Sequence, residues 1–151
     1  MDNFDPMGFW AAGLVDGEGC FAIGISRKGK YLHICFTFSI GLRIDDRPTL
    51  EKLQKTLGGI GRFYTHTSSK SPGVYFKVAK TDGLLLIIDF FEKYPLQSKK
   101  QGDFKIWAEA FRYYLTGRYK GFSPEHMFLE MEKRAQQLQD NRRYVKSATT
   151  A

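Results

Sequence analysis

The chain has 151 residues, of which 42% are hydrophobic and 15% aromatic, and its formal net charge is +7. An apolar fraction of this size excludes a disordered chain, and the length suits one domain. Two cysteines cannot form a disulfide framework, the longest apolar run (Leu84 to Ile88) cannot span a membrane, and no basic secretory signal is visible. We therefore expect an intracellular protein that is not secreted and has no membrane partner.

Helices and strand pairs alternate along the chain. Asp5-Pro6 combines a helix-capping residue with a proline at the first helical position, and it predicts a helix through Val15. Residues 20–26 and 32–40 alternate between apolar and polar side chains, which is typical of two antiparallel strands with one buried face. Residues 27–30 form the predicted turn between these strands.

The same arrangement is then repeated. A helix with leucines at helical spacing begins after Asp45 or Asp46 and ends at Gly58-Gly59, and strands are predicted at 60–67 and 74–79. Further helices are predicted from Asp82 to before Pro95, over 99–116, and from Ser123-Pro124 onward. The order α-β-β-α-β-β-α with helical extensions indicates an α+β fold. We expect one domain over residues 1–141, including the last helix, and a polar tail over 142–151.

The positive charge is concentrated in the predicted strand pairs. Residues 20–44 and residues 60–81 each contain four lysines or arginines and no acid, which favours a polyanionic partner over a basic surface kept only for solubility. An ordinary solvent-facing sheet is the alternative. Polar side chains on one face of the sheet suit DNA phosphates and base edges. The predicted DNA contacts are Ser26, Lys28, Lys30, His33, Cys35, Thr37, Ser39, Arg43, Arg62, Tyr64, His66, Lys70, Tyr75 and Lys77.

The first predicted helix ends in the segment Ala11–Gly19, with the sequence AAGLVDGEG. Small side chains in a helix permit another backbone to approach closely. Asp16 and Glu18 follow at the helix end, where the carbonyls already carry partial negative charge, so acids are unfavourable there unless a cation binds. Carboxylate and carbonyl oxygens are the ligands of hard divalent cations. The alternative is a glycine-rich helix end with a solvated glutamate.

This segment resembles the LAGLIDADG motif of homing endonucleases, and the predicted element order matches the fold of that family, with its curved antiparallel β-sheet saddle. The resemblance covers about residues 8–116. It implies an enzyme that cuts double-stranded DNA at a long pseudo-palindromic site with a divalent cation, normally Mg²⁺. Two other interpretations stay open: a nucleic-acid-binding protein of the same fold that has lost cleavage, such as an intron maturase or a regulator, and a basic structural or ribosome-associated protein.

The resemblance also implies site residues. Glu18 and the backbone carbonyl of Gly17 correspond to metal ligands, and a lysine at the start of the fourth helix assists catalysis. We take Lys99 as this lysine, although the register does not separate it from Lys100. Asp16 is interpreted as mainly structural. The family often has a polar residue that positions water at the end of the second strand, where this chain has Gly41-Leu42, so Arg43 or Ser39 would have to substitute.

The number of motifs in the chain predicts how many chains assemble. One copy of the motif occurs in the 151 residues, whereas cleavage of both DNA strands needs two sites. A homodimer in which two motif helices pack together supplies both sites and mirrors a pseudo-palindromic target. We expect Ala12 and Gly13 to lie in the dimer interface, because their small side chains permit close packing.

Overall fold

The computed structural model describes residues 3–67 and 70–143. It confirms the predicted order of elements and the α+β class. The elements are α1 (Pro6–Glu18), β1 (Gly19–Lys28), β2 (Tyr31–Arg43), a 3-10 turn (Ile44–Asp46), α2 (Arg47–Thr56), β3 (Arg62–His66), β4 (Gly73–Val78), α3 (Thr81–Lys93), α4 (Lys100–Lys120) and α5 (Pro124–Arg142).

The four strands form one antiparallel sheet in the order β1-β2-β4-β3. Its apolar face is covered by helices, and alternate residues of each strand enter the core, as the period of two predicts. Phe21 and Phe38 are fully buried there against Phe91 of α3, and Phe21 also contacts Trp107 of α4. The polar face of the sheet is left uncovered by these elements.

Helix α1 begins as its sequence predicts and ends later. Asp5 caps it by accepting a hydrogen bond from the Met7 amide at 2.9 Å. The helix continues to Glu18, three residues beyond the predicted end, and the Gly19 amide closes it by donating to the Val15 carbonyl. Because β1 starts at Gly19, Glu18 lies where the helix meets the edge strand of the sheet.

Helix α5 packs along α4 and against β1. Its buried side chains are Met127, Met131 and Leu138. Arg142, which the sequence placed in the polar tail, is the last residue of this helix, and residues 144–151 of that predicted tail lie outside the described residues. No helix among the described residues is long and apolar enough to cross a membrane.

Candidate functional site

A row of polar side chains crosses all four strands on the uncovered face of the sheet. The register places Cys20 opposite Ser39, Ser39 opposite Lys77, and Lys77 opposite Arg62. Like charges directly opposite each other destabilise a sheet, so the Arg62–Lys77 pair costs stability in the free protein. A polyanion over this face would remove that repulsion.

The uncovered face differs between its two strand pairs. In the middle of β1 and β2 the side chains are small, as at Cys20, Thr37 and Ser39, whereas β3 and β4 present large ones. The Tyr75 ring lies against the His66 ring at 5.4 Å between centroids, and the Lys77 ammonium lies 5.6 Å from the centroid of the Tyr64 ring. Amphipathic rings and cations together suit contacts to bases and phosphates.

The predicted DNA contacts are mostly brought together on this face. Strand alternation places there the side chains of Ser26, His33, Cys35, Thr37, Ser39, Arg43, Arg62, Tyr64, His66, Tyr75 and Lys77. Lys28 and Lys30 are exposed at the β1–β2 turn, and Lys70 is exposed between β3 and β4.

Two arginines of the acid-free stretches are already paired. Arg43 forms an ion pair with Asp45 through two hydrogen bonds. The hydrogen bonds and charge of Asp45 raise the pKa of Arg43, and those of Arg43 lower the pKa of Asp45. Arg27 lies on the opposite side of β1, where it pairs with Glu125 of α5 and stacks over Phe128. The uncovered face therefore carries less free charge than the acid-free stretches suggest.

The Asp16 carboxylate is saturated with hydrogen bonds from the segment before α4. It accepts from the Gln97 amide at 2.9 Å, from the Ser98 amide at 2.9 Å and from the Ser98 hydroxyl at 2.6 Å. Partial burial opposes its ionisation, but these hydrogen bonds and the nearby Lys100 charge outweigh it and lower the pKa of Asp16. The interpretation of Asp16 as structural agrees with this geometry. Gln97 and Ser98 are not among the residues predicted from the sequence, because the only local signal for them is a hydroxyl residue just before a helix start.

Glu18 has the opposite environment. Its side chain is exposed, and no residue in the described part of the chain donates a hydrogen bond to it. It lines a shallow groove with Ser39, Gly41, Arg43 and His66. Leu42 packs partly against the core, and the two residues predicted to position water in place of Gly41-Leu42, Ser39 and Arg43, both line this groove.

The two candidate lysines point in different directions. The Lys100 ammonium donates to the Gly19 carbonyl at 2.5 Å, beside the end of the motif. The Lys99 ammonium donates to the Arg143 carbonyl at 3.3 Å, at the end of α5. The Asp16–Ser98 hydrogen bonds set the helix start so that Lys100 faces the motif, whereas Lys99, the lysine preferred from the sequence, faces the end of α5.

The open face of α1 also differs from the prediction. Ala12, predicted to lie in a dimer interface, is 5% exposed and packs in the core of the single chain instead of on the open side of α1. Gly13 and Gly17, one turn apart, are exposed, and a Cβ on either would meet nothing within 4 Å. Phe9, one turn before Gly13, is 55% exposed. These three residues form an uncovered stripe, called here the α1 stripe.

One chain supplies only part of a metal site. No group of three or more metal-ligating side chains occurs within residues 3–67 and 70–143. Mg²⁺, however, is typically held by one or two carboxylates together with substrate phosphates and water. The Glu18 carboxylate and the Gly17 carbonyl, in the last turn of α1 where carbonyls lack helical partners, fit such a role.

Comparisons with known proteins agree with this arrangement. A sequence model of the LAGLIDADG endonuclease family matches residues 11–111. A probable intron-encoded endonuclease of Schizosaccharomyces pombe is 30% identical over 106 residues, which are 68% of this chain and 26% of that protein. The LAGLIDADG meganuclease I-AabMI, solved with uncleaved DNA, superimposes with a TM-score of 0.65 at 30% identity, over 80% of this chain and 40% of that one. The homing endonuclease I-TnaI superimposes with a TM-score of 0.67 at 27% identity, over 94% of this chain and all of that one.

The share of each relative that is matched differs widely. The chain spans about a quarter of the fission-yeast protein and two fifths of I-AabMI, but the whole length of I-TnaI. The match to the family model stops within α4, so α5 lies outside it.

Proposed function

Because the chain belongs to the LAGLIDADG endonuclease family, we propose that it is a site-specific homing endonuclease that hydrolyses double-stranded DNA inside the cell. The observation that carries this proposal is the free Glu18 carboxylate beside a basic, uncovered sheet face. The carboxylate lies at the C-terminal end of a helix, where backbone carbonyls already carry partial negative charge, so an acid is unfavourable there without a cation. An unpaired acid next to a polyanion-binding surface is useful when a cation bridges the two.

The residues have distinct roles in this proposal. The row through Arg62 and Lys77 binds DNA and brings a phosphate to the groove at Glu18. A divalent cation, normally Mg²⁺, held by Glu18 and the Gly17 carbonyl would lower the pKa of a bound water and neutralise charge on the phosphate. Lys100 stabilises negative charge that develops on the phosphate, because its ammonium is tethered at the motif. Ser39 and Arg43 orient water from the groove.

The proposed assembly is a homodimer joined through the α1 stripe. Helix α1 is apolar on the side that packs on the sheet and also on its open side, and a helix that is apolar all round needs cover on both sides. A second α1 packed on Gly13 and Gly17 would place two Glu18 side chains near one axis, with a sheet on each side. The target is then pseudo-palindromic, since half-site symmetry mirrors protein symmetry.

Substitution of Gly13 tests this assembly. Gly13→Leu should give a folded monomer that does not cut, because the added side chain enters open space within the chain but blocks a second helix. Sedimentation of both proteins, alone and on DNA, is the measurement. A wild-type chain that sediments as a monomer in both states would contradict the homodimer.

The activity itself can be tested without knowing the target. The protein is incubated with a randomised double-stranded DNA library in Mg²⁺, and in EDTA as control, and the cut ends are sequenced. We expect Mg²⁺-dependent cuts at one pseudo-palindromic sequence. Cutting that persists in EDTA would contradict the metal role, and a library without cuts would contradict the endonuclease.

A nucleic-acid-binding protein without cleavage, such as a maturase or regulator, is the second candidate. The observation that favours it is Gly41-Leu42, which leaves the second strand without the polar group that the family often has there. The same DNA library distinguishes a regulator, which would retain specific duplexes but leave them intact. A maturase would instead retain specific sequences from a randomised RNA library.

A further inference from the structure

Asp103, in the first turn of α4, is the only charged side chain that is buried in the described part of the chain. Its Oδ1 accepts a hydrogen bond from the Asn141 amide at 2.6 Å, and its Oδ2 lies 3.5 Å from Nε of Arg142. Both partners belong to the last turn of α5. A buried carboxylate is costly unless it is paired and hydrogen-bonded, so this turn of α5 is what makes the position tolerable.

Two further contacts hold the same turns together. A Cβ on Gly102 would lie 2.9 Å from the Asn141 side-chain nitrogen, so the two turns are in close contact. The Lys99 ammonium donates to the Arg143 carbonyl at 3.3 Å. Asp103, Asn141 and Arg142 are called here the Asp103 clamp.

The same first turn of α4 also contacts the motif. Ser98 donates to Asp16, and Lys100 donates to the Gly19 carbonyl. Lys100 and Asp103 are three residues apart, close to one helical turn. The start of α4 is therefore fixed between the end of α1 and the end of α5.

We propose that the Asp103 clamp positions Lys100 for cleavage, which makes the end of α5 part of the catalytic apparatus. This inference rests on the proposed endonuclease function. The clamp acts through the first turn of α4: without it this turn can shift and the Lys100 ammonium leaves the motif. Stability alone does not account for a buried carboxylate at this position, because apolar replacements of buried ion pairs are often neutral or stabilising.

The test compares variants of the full chain at the two ends of α5. Asp103→Ala and Asn141→Ala release the clamp, and the double variant Asp103→Asn/Asn141→Asp exchanges donor and acceptor and restores the hydrogen bond. Glu125→Gln is the matched control, because it breaks the pair with Arg27 at the other end of the same helix. Single-turnover cleavage of the library-selected target, DNA affinity, melting temperature and the rate of acylation of Lys100 are measured for each.

We expect Asp103→Ala and Asn141→Ala to slow cleavage by about ten- to a hundredfold, as a shift of about 1 Å in a positioned group does. DNA affinity should stay unchanged, and Lys100 should be acylated faster than in the wild type. The exchanged pair should recover most of the rate, and Glu125→Gln should cut and label like the wild type.

Two results would overturn the proposed role of the Asp103 clamp. Folded clamp variants that cut at the wild-type rate, or a loss of rate that Glu125→Gln shares, would leave α5 as a merely stabilising helix. If Asp103→Ala does not fold, the cleavage rates of Asn141→Ala and of the exchanged pair test the role of the clamp. If the wild type cuts no DNA, the proposed function fails by itself. The rate of Lys100 acylation then tests whether the clamp positions Lys100. Faster acylation in Asn141→Ala than in the wild type supports this role, and an unchanged rate overturns it.

Discussion

The two acids of the motif are two residues apart on one helix end, yet the fold treats them in opposite ways. Asp16 faces the segment before α4 and is held by two backbone amides and a hydroxyl. Glu18 faces the groove on the uncovered sheet and is left without a donor in the part of the chain that is described. The same contrast separates Arg27, which is paired with α5, from Arg62, which lies on the uncovered face.

This contrast teaches that, for the two motif acids and for Arg27 and Arg62, pairing within the chain separates structural groups from functional ones. A charged group whose hydrogen bonds are all made inside the protein has little left to offer a ligand. An exposed charge with no partner is available for a metal or a phosphate. Removing Asp16 or Arg27, which are paired, should therefore spare DNA binding and cleavage, whereas removing Glu18 or Arg62, which are free, should reduce cleavage or binding.

The largest effect is expected at Glu18. Glu18→Gln should abolish strand cleavage, because an amide loses the charge that holds a divalent cation. DNA binding should stay near the wild-type affinity, since the removed charge is negative and phosphates are attracted by the cations that remain. Cleavage gels and fluorescence anisotropy on the selected target measure the two properties. Cutting at the wild-type rate would show that the metal site is assigned wrongly.

The two lysines give the next largest difference. Lys100→Met should slow single-turnover cleavage by about a hundredfold or more, the scale of losing one group that stabilises transition-state charge. Lys99→Met, the matched control, should cost much less, because its ammonium binds the end of α5 instead of the motif. The order of the two rates reveals which lysine acts, and the reverse order would restore Lys99 as the catalytic candidate.

Arg62 and Arg27 extend the comparison to DNA recognition. Arg62→Ala should weaken specific binding by about 1–3 kcal/mol and relax the preference at one base position in each half-site. Arg27→Ala should leave DNA affinity unchanged, because that side chain pairs with Glu125 behind the sheet. Binding to a panel of single-base target variants is the measurement. An equal loss on every sequence would mark Arg62 as a phosphate contact only.

The smallest effect is expected at Asp16 and depends on pH. Asp16→Asn should lower the free energy of unfolding at pH 7 by about 1 kcal/mol, a modest value because the carboxylate is partly exposed. The pKa of Asp16 is lowered from its usual value of 3.8, so its stabilisation is complete above that pH and is lost as the pH falls through the folded pKa. Urea unfolding at pH 7 and pH 3 should therefore show a difference that shrinks in acid. Equal stability of the two proteins at pH 7 would contradict the structural role.

Sequence reasoning predicted the elements well because their signals are local. The Asp5-Pro6 cap and the alternation along β2 depend on neighbouring residues, and both are found. The side of α1 that meets the sheet was not predictable, because small and apolar residues occur on both sides of that helix. Ala12 was therefore assigned to the open side, although it is buried.

The choice between Lys99 and Lys100 depends on a contact across the fold. The register of α4 at its start is set by Asp16, which lies 82 residues before Ser98 in the chain. The Asp103 clamp likewise joins residues 38 positions apart. Spacing within a motif carries no signal for such contacts, so the sequence could place Glu18 at the helix end but could not determine which lysine lies beside the motif.

The central claim, that Glu18 and not Asp16 holds the divalent cation, is tested most directly by cation binding itself. Ca²⁺ has the same preference for oxygen ligands and can be titrated calorimetrically into the complex of the protein with its selected target duplex. The account predicts that the wild type and Asp16→Asn bind Ca²⁺ with similar affinity and that Glu18→Gln loses this binding. Unchanged Ca²⁺ affinity in Glu18→Gln, or its loss in a folded Asp16→Asn, would contradict the account.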